Sequence, residues 1–157
     1  MAELKAWAAG EQAGADPATL KAALEAVLES TRGFLDWREV SAYARRARGA
    51  VPLLEKALAR DASQALGAAE HALRRLYRVA EQADDSNGTI GDLMLGCMDI
   101  ALRALAKQPP PPAWADRFIA LIDDDPFGLW DVDAVLGAAG PEVARRYSQA
   151  LGARWAA

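Results

Sequence analysis

Apolar residues recur at steps of three and four along most of this chain of 157 residues, in segments separated by Pro, Gly and Asp. This spacing places the apolar side chains on one face of an α-helix, whereas a half-buried strand would alternate. The chain has 37 Ala and 19 Leu but only 14 Val, Ile and Thr together, and branched side chains lose rotamers in helices. We therefore predict an all-α fold of about seven to eight helices in antiparallel hairpins, forming a compact α/α array or a short superhelix.

The length corresponds to about one domain of roughly 150 residues. We predict a single helical domain over residues 1–157, with residues 1–15 as a loosely attached N-terminal segment. The apolar runs are much shorter than the roughly 20 residues that a membrane span requires. The N-terminus also lacks the basic start and apolar stretch of a secretory signal. We expect a cytoplasmic protein with no membrane association.

Capping residues predict where the helices begin and end. Asp16 before Pro17 predicts a helix that runs to about Arg32, and Asp36 with Glu39 forms a capping box for a helix that starts at Trp37. A short helix is predicted after Pro52, and a long one, capped by Asp61, from Ala62 to Ala83. Another is predicted from Ile90 to Lys107, with Thr89 and Asp92 as a variant capping box. Three more are predicted towards the C-terminus: one that includes Trp114 to Ile122, one from Trp130 to Ala138, and one that begins at Pro141. Residues Pro109 to Pro112 are predicted to form an extended spacer.

The chain has one Cys and one His, which limits its chemistry. One Cys excludes an internal disulfide and a multi-thiolate zinc site, and one His excludes the usual multi-histidine metal centres. Cys97 lies on an apolar helical arc and is predicted to be a core residue. His71 has no Ser or Cys nucleophile close to it in the sequence. We predict no catalytic residue, no cofactor and no enzymatic activity.

The acidic, Gly-containing turn from Asp84 to Asp92 follows the general plan of a calcium-binding loop. With Gly88 as the loop glycine, Ala83 and Met94 occupy the two end positions, where the strongest ligands belong. We therefore predict a structural turn with helix caps. The carboxylates kept as weak candidates for a divalent-metal site, in a binding protein or an enzyme, are Asp84, Asp85, Asp92 and Asp99.

The formal net charge is −4, and the excess of acid lies in one part of the chain. Residues 84–133 contain ten Asp, no Glu and three basic residues. This stretch could recruit a basic partner, although capping by Asp explains most of the excess of acid.

The basic side chains of His71, Arg74, Arg75 and Arg78 are predicted to form a solvated helix face. Nucleic-acid binding by that face together with Arg45, Arg46 and Arg48 is the alternative. Trp37, Trp114, Trp130 and Trp155 are predicted to be core anchors, although an exposed pair would indicate an interface.

Three blocks resemble a known family. They are Gly-Phe-Leu-Asp-Trp-Arg-Glu-Val-Ser-Ala-Tyr-Ala-Arg-Arg at residues 33–46, Ala-Glu-His-Ala-Leu-Arg-Arg at residues 69–75, and Asp-Asp-Ser-Asn-Gly through Gly-Asp at residues 84–92. In this order they resemble an uncharacterised bacterial all-helical domain found C-terminal to SWIM-type zinc fingers. The Cys-x-Cys and Cys-x-His of the finger itself are absent. The resemblance implies a helical module that accompanies a finger thought to contact nucleic acid or protein.

These observations favour a non-enzymatic helical domain that acts in protein interaction or as a scaffold. The predicted contact surface joins Trp37 and Arg38 to the acidic turn at Asp84 and Asp85. An internal ion pair between Arg38 and one of those carboxylates is the structural alternative. We expect a protein partner, whose identity the sequence does not give, and no nucleic acid. A homodimer stays open as a further alternative.

Overall fold

The computed structural model describes residues 17–30, 33–108 and 114–156. Over these ranges the chain forms eight helices, and its only β-type pairing is an isolated parallel bridge between Leu35 and Ala83. The helices are α1 (Pro17–Leu28), α2 (Trp37–Ala47), α3 (Ala50–Arg60), α4 (Ala62–Glu81), α5 (Thr89–Lys107), α6 (Ala115–Asp123), α7 (Val132–Ala139) and α8 (Pro141–Ala156). The predicted all-α fold is confirmed.

The two longest helices form the centre of the packing. Helices α4 and α5 pack against each other, and α3 contacts both of them. Helices α1 and α6 contact α4, whereas α2 and α7 contact α5, and α8 covers α6 and α7. The predicted apolar stripe of α4 is buried, and α5 has more buried positions than any other described helix. The fully buried side chains of the two central helices include Leu73, Leu76, Ile90, Met94, Ile100 and Leu105.

Two predicted N-caps are confirmed by their hydrogen bonds. Asp36 Oδ1 accepts from the backbone N–H of Glu39 at 2.9 Å, and Glu39 Oε2 accepts from the backbone N–H of Asp36 at 2.9 Å. This reciprocal pair is the predicted capping box of α2. Asp61 caps α4 by accepting from the backbone N–H of Ser63 at 2.9 Å.

Helix α1 ends at Leu28, so its predicted extension to about Arg32 is wrong. Side chains of α2 bind the last carbonyls of α1, because Tyr43 donates its hydroxyl to Leu28 O at 2.7 Å and Arg46 Nε donates to Val27 O at 3.3 Å. Arg46 also donates to the carbonyl of Glu29. These bonds satisfy carbonyls that a longer helix would have bonded internally.

Two other predicted helix starts are also displaced. Helix α3 begins at Ala50, ahead of Pro52, because a proline in the first turn removes an N–H that needs no helical partner. Helix α7 begins at Val132 and not at Trp130, because Asp131 accepts from the backbone N–H of Ala134 at 3.1 Å and acts as its N-cap. The predicted proline spacer lies outside the described residues, as does the predicted N-terminal segment.

None of the helices in the described part of the chain is long and apolar enough to cross a membrane.

Candidate interaction surface

The segment before α2 lies directly against the turn between α4 and α5. Leu35 N donates to Gln82 O at 2.9 Å, and Asp84 N donates to Leu35 O at 2.8 Å. This pairing produces the bridge between Leu35 and Ala83. Leu35 is buried and anchors the segment in the core. The structure therefore places the two halves of the predicted contact surface, at Trp37 and at the acidic turn, next to each other.

Trp37 is exposed, so its prediction as a core anchor is wrong. As the first residue of α2, it projects from the helix end, and 49% of its surface is accessible. The guanidinium carbon of Arg38 lies 5.0 Å from the centroid of its ring. Of the other tryptophans, Trp130 is buried and Trp114 is half-buried, whereas the side chain of Trp155 lies outside the described residues.

Arg38 stacks on Trp37, and the ion pairs among the described residues do not join it to Asp84 or Asp85. Its backbone N–H donates to Asp36 in the capping box of α2. The guanidinium is therefore held at the surface by the indole ring, and the structure does not show the internal pair that the sequence left open.

The two aspartates of the turn have different structural roles. Asp84 is exposed and accepts from the backbone N–H of Ser86 at 3.1 Å. Asp85 is half-buried, and its two carboxylate oxygens accept from the backbone N–H groups of Ile90 at 2.9 Å and Gly91 at 3.0 Å. Asp85 thus satisfies two of the N–H groups at the start of α5 that have no partner within the helix.

The predicted capping box of Thr89 and Asp92 is wrong. Thr89 is the first residue of α5, and the N-cap is Gly88, which has a φ of 70° and offers no side-chain cap. Glycine adopts this left-handed conformation without the steric cost of a Cβ atom. The carboxylate of Asp85 reaches over this turn and replaces the missing cap.

We expect Asp85→Ala to lower the free energy of unfolding by about 1.5 kcal/mol, because it leaves two N–H groups of α5 without a carboxylate acceptor. Asp84→Ala is the matched control one residue earlier, and it should cost less than about 0.5 kcal/mol, as exposed substitutions do. Urea denaturation of both variants measures the difference. Equal losses for the two variants would contradict the capping role of Asp85.

Two more aromatic residues that the sequence analysis did not select are exposed around this turn. Phe34, which precedes the anchored Leu35, is 65% exposed, and Phe127 is 42% exposed. A Cβ atom at Gly91 would lie 3.8 Å from both Asp85 Oδ2 and Phe127 Cδ2, so Phe127 lies beside the start of α5. We call Phe34, Trp37 and Phe127 the aromatic surface. The sequence signal for Phe127 was an aromatic residue between Pro126 and Gly128 in an acidic turn.

The aromatic surface rests on a fixed backbone. On the α6–α7 connection, Asp125 accepts from the backbone N–H groups of Phe127 at 3.0 Å and Trp130 at 3.2 Å. On the α1–α2 connection, the bridge at Leu35 and the capping box at Asp36 hold the backbone on both sides of Trp37. Hydrogen bonds within the chain therefore hold the backbone at Leu35 and Asp36 and at Phe127.

The carboxylates proposed for a metal do not converge. No group of three or more His, Cys, Asp or Glu side chains that could hold a metal ion occurs among the described residues. Both oxygens of Asp85 accept backbone N–H groups, and Asp99 pairs with Arg103 at 3.0 Å. Asp84 accepts in its own turn, and Asp92 is exposed on α5. The geometry gives the metal interpretation no support.

The basic face of α4 is largely occupied by contacts with other helices. Arg75 Nη2 lies 2.5 Å from Glu25 Oε2 of α1, and His71 Nε2 lies 2.8 Å from Glu25 Oε1. The contact with His71 is close but is not an aligned hydrogen bond. Arg74 pairs with Glu70 at 3.5 Å and with Asp124 at 3.3 Å. The prediction of a fully solvated face is therefore wrong for these three side chains, whereas Arg78 is exposed.

Glu70 is the one charged residue among the described residues that is buried. It accepts from Arg74 and also from Arg117 of α6, whose Nη2 lies 2.9 Å from Glu70 Oε2. The guanidinium of Arg117 in turn covers the ring of Trp114 at 4.1 Å. This network links α4 to α6 and has a structural role, because a buried carboxylate requires charged hydrogen-bond partners.

We expect the Glu25 ion pairs to make stability depend on pH. The hydrogen bond and the charge of Arg75 lower the pKa of Glu25 below its usual value of 4.5. A lowered folded-state pKa stabilises the fold above pH 4.5, and this stabilisation is lost as the pH falls through the folded-state pKa. Glu25→Gln should therefore cost about 0.5–1 kcal/mol at neutral pH, with much of the charge screened by solvent, and less at pH 3, which lies below the usual pKa of a Glu carboxyl. Urea denaturation at both pH values tests this, and an equal loss at both would contradict it.

Cys97 is fully buried in α5, and burial raises the pKa of its thiol to about 12. A thiol in this environment stays protonated at neutral pH and is a poor nucleophile. Its location in the core agrees with the prediction from its apolar arc.

A groove of about 480 Å³ lies between α1 and α4. Its walls are apolar at Leu20 and Leu24 and polar at Ser63, Gln64 and His71. Of these polar residues, His71 contacts Glu25 of α1, and Ser63 and Gln64 donate their backbone N–H groups to Asp61 in the cap of α4. The groove therefore adds no catalytic arrangement to the site.

Comparisons of this chain with protein-family models, curated proteins and solved structures give no match. The resemblance to the helical domain that follows SWIM-type zinc fingers stays a prediction, and the assignment of function depends on the surface described above.

Proposed function

We propose that this chain is a non-enzymatic helical domain of the cytoplasm that binds a protein partner through its aromatic surface, as an interaction module or a scaffold. One observation carries the proposal: three aromatic side chains, Phe34, Trp37 and Phe127, are exposed around one hydrogen-bonded turn. Aromatic residues are enriched where protein interfaces derive most of their binding free energy.

The rigidity of the surface supports this proposal. The backbone next to each aromatic residue is already held by the bridge at Leu35, the capping box at Asp36 and the side chain of Asp125. Binding then orders few new groups, so less free energy is lost to conformational entropy. A protein that needed these residues only for folding would gain by burying them, because buried apolar area stabilises the fold.

No specific observation favours the two alternatives. Of the Asp side chains considered for a metal, Asp85 caps α5 and Asp99 pairs with Arg103. The arginines considered for nucleic acid include Arg46, which binds carbonyls of α1, and Arg74, which pairs with carboxylates. The resemblance also implies association with a SWIM-type zinc finger, and we include this association in the proposal. A helical module beside such a finger would act by binding another protein.

Affinity capture with matched variants tests the proposal. The purified chain and the double variant Phe34→Ser/Trp37→Ser are used as baits in a lysate of the source organism, with Lys56→Ala, at a half-buried position of α3, as the control. We expect a protein that the wild type and Lys56→Ala retain and the double variant loses. Circular dichroism melting establishes that the double variant is folded. Capture that does not depend on Phe34 and Trp37 would overturn the proposal.

A further inference from the structure

The carboxylates around the aromatic surface form no ion pairs among the described residues. Four carboxylates lie in or beside the α4–α5 turn, around which the aromatic surface is exposed: Glu81, Asp84, Asp85 and Asp92. None of them has a cationic partner among the described residues. The four side chains are separated by at most eleven positions along the chain. The turn therefore presents a concentration of negative charge that the fold itself does not neutralise.

The negative charge extends into α5 and to the α6–α7 connection, whereas α4, which precedes the turn, has the exposed cation Arg78 in its last turn. Residues 79–102, which include the turn and most of α5, contain five Asp and Glu and no Lys or Arg. Residues 118–140, which carry Phe127, contain five Asp and no Lys or Arg. Two described cations lie at the edge of the aromatic surface: Arg38 stacks on Trp37, and Arg78 lines a pocket with Gly33 and Leu35, the neighbours of Phe34. A surface dominated by one sign of charge attracts partners of the opposite sign.

We propose that the occupant of the aromatic surface is a peptide segment of a partner protein that combines apolar side chains with several Lys or Arg residues. The apolar side chains would contact Phe34, Trp37 and Phe127, and the cations would lie opposite Glu81, Asp84 and Asp92. This inference deepens the proposed function and rests on it. Complementary charges across an interface increase the association rate and discriminate between partners.

The same charges argue against two other occupants. In a symmetric dimer, the surface would face itself and bring carboxylates of one copy against those of the other, which costs free energy. A nucleic acid would bring phosphates to the same carboxylates, although binding to phosphate requires cations. The basic, apolar segment is the occupant that satisfies both the exposed aromatic rings and the charge.

Three helical peptides of equal length provide the probes. The first has Leu at positions i, i+3, i+4 and i+7 and Lys at the others, so that one helical face is apolar and the other basic. The second replaces every Leu by Ser, and the third replaces every Lys by Glu. Fluorescence anisotropy of the labelled peptides measures binding to the full chain. We expect the Leu/Lys peptide to bind at least about tenfold more tightly than either of the other two, a difference of about 1.4 kcal/mol. Its affinity should fall at about 0.5 M NaCl, where charges are screened within a few Å.

Two variants with the same change in net charge locate the binding. The variant Glu81→Gln/Asp84→Asn/Asp92→Asn removes three charges at the turn and leaves Asp85 in place, because that side chain caps α5. The control Glu55→Gln/Asp116→Asn/Glu142→Gln removes three charges on α3, α6 and α8. We expect the turn variant to lose about tenfold or more in affinity for the Leu/Lys peptide, and the control to lose less than about threefold.

The outcomes separate this inference from the proposed function. Absence of Leu/Lys binding, equal binding of the Leu/Glu peptide, or equal losses in the two charge variants would overturn the basic partner. Dimerisation in analytical ultracentrifugation that Phe34→Ser/Trp37→Ser abolishes would also overturn it and identify a second copy as the occupant. If the lysate partner depends on Phe34 and Trp37 but not on salt or the turn charges, the proposed function stands and this inference fails. If the variant Phe34→Ser/Trp37→Ser does not fold, the three peptides and the two charge variants still test whether the partner is basic.

Discussion

Leu73→Ala should lower the free energy of unfolding by about 3 kcal/mol, since burial of this side chain is complete and its removal leaves a cavity between the central helices. For a domain of this size, the loss corresponds to a melting temperature lower by roughly 6–12 °C. Leu73 lies in α4, the helix that α1, α3, α5 and α6 all contact. Its neighbours are therefore held from several sides and cannot move far to fill the space.

Leu95→Ala is the matched control on the other central helix. Leu95 belongs to α5 and is 45% exposed, so the same chemical change removes little buried area. We expect a loss within about 0.5 kcal/mol. Guanidinium denaturation of both variants gives their free energies of unfolding. The comparison requires that the dependence of this free energy on denaturant concentration is similar for the two variants. A loss for Leu95→Ala as large as that for Leu73→Ala would contradict the assignment of the core to the α4–α5 contact.

The sequence predicted the fold best where local signals act alone. The stripe of α4 is defined by its own period of 3.6 residues, and the capping boxes depend on residues three positions apart. Asp36 with Glu39, and Asp61, therefore matched the structure. The Thr89 prediction was wrong because two carboxylates, Asp85 and Asp92, stood within reach of the same helix start. The backbone conformation of the turn decides which of these two carboxylates accepts from the N–H groups at the start of α5.

Predictions that required knowledge of distant neighbours did less well. The periodicity of α4 identified a basic face, but it could not show that Glu25 of α1 and Asp124 after α6 lie against that face. The period of α2 placed Trp37 at the helix start without showing whether another helix covers it. The bridge between Leu35 and Ala83 joins residues 48 positions apart, a separation over which one sequence carries no pairing signal.

The hydrogen-bond chain from Trp130 to the end of α6 should be the most sensitive polar feature of the core. Trp130 Nε1 donates to the hydroxyl oxygen of Tyr77 at 2.7 Å, and that hydroxyl donates to the carbonyl oxygen of Leu121 at 2.9 Å. Both aromatic side chains are buried. We expect Tyr77→Phe to cost about 3 kcal/mol, because it leaves an indole N–H and a carbonyl without partners, at about 1–3 kcal/mol each.

Tyr43→Phe provides a control of the same chemistry. Tyr43 is also buried, but its hydroxyl makes one bond, to Leu28 O, so its loss should cost about 1 kcal/mol. Burial raises the pKa of Tyr43 to about 12 and also raises the pKa of Tyr77, so both hydroxyls remain donors at neutral pH. The difference between the two variants should accordingly be unchanged between about pH 6 and pH 9.

A double-mutant cycle isolates the contact between Tyr77 and Trp130. After Trp130→Phe, the hydroxyl of Tyr77 still donates to Leu121 O, and no indole N–H remains to be satisfied. The double variant Tyr77→Phe/Trp130→Phe should therefore lose less stability than the sum of the two single variants, by about 1 kcal/mol or more. Additive losses, or a Tyr77→Phe loss no larger than that of Tyr43→Phe, would show that the chain of hydrogen bonds is not what joins α4 to α6 and the start of α7.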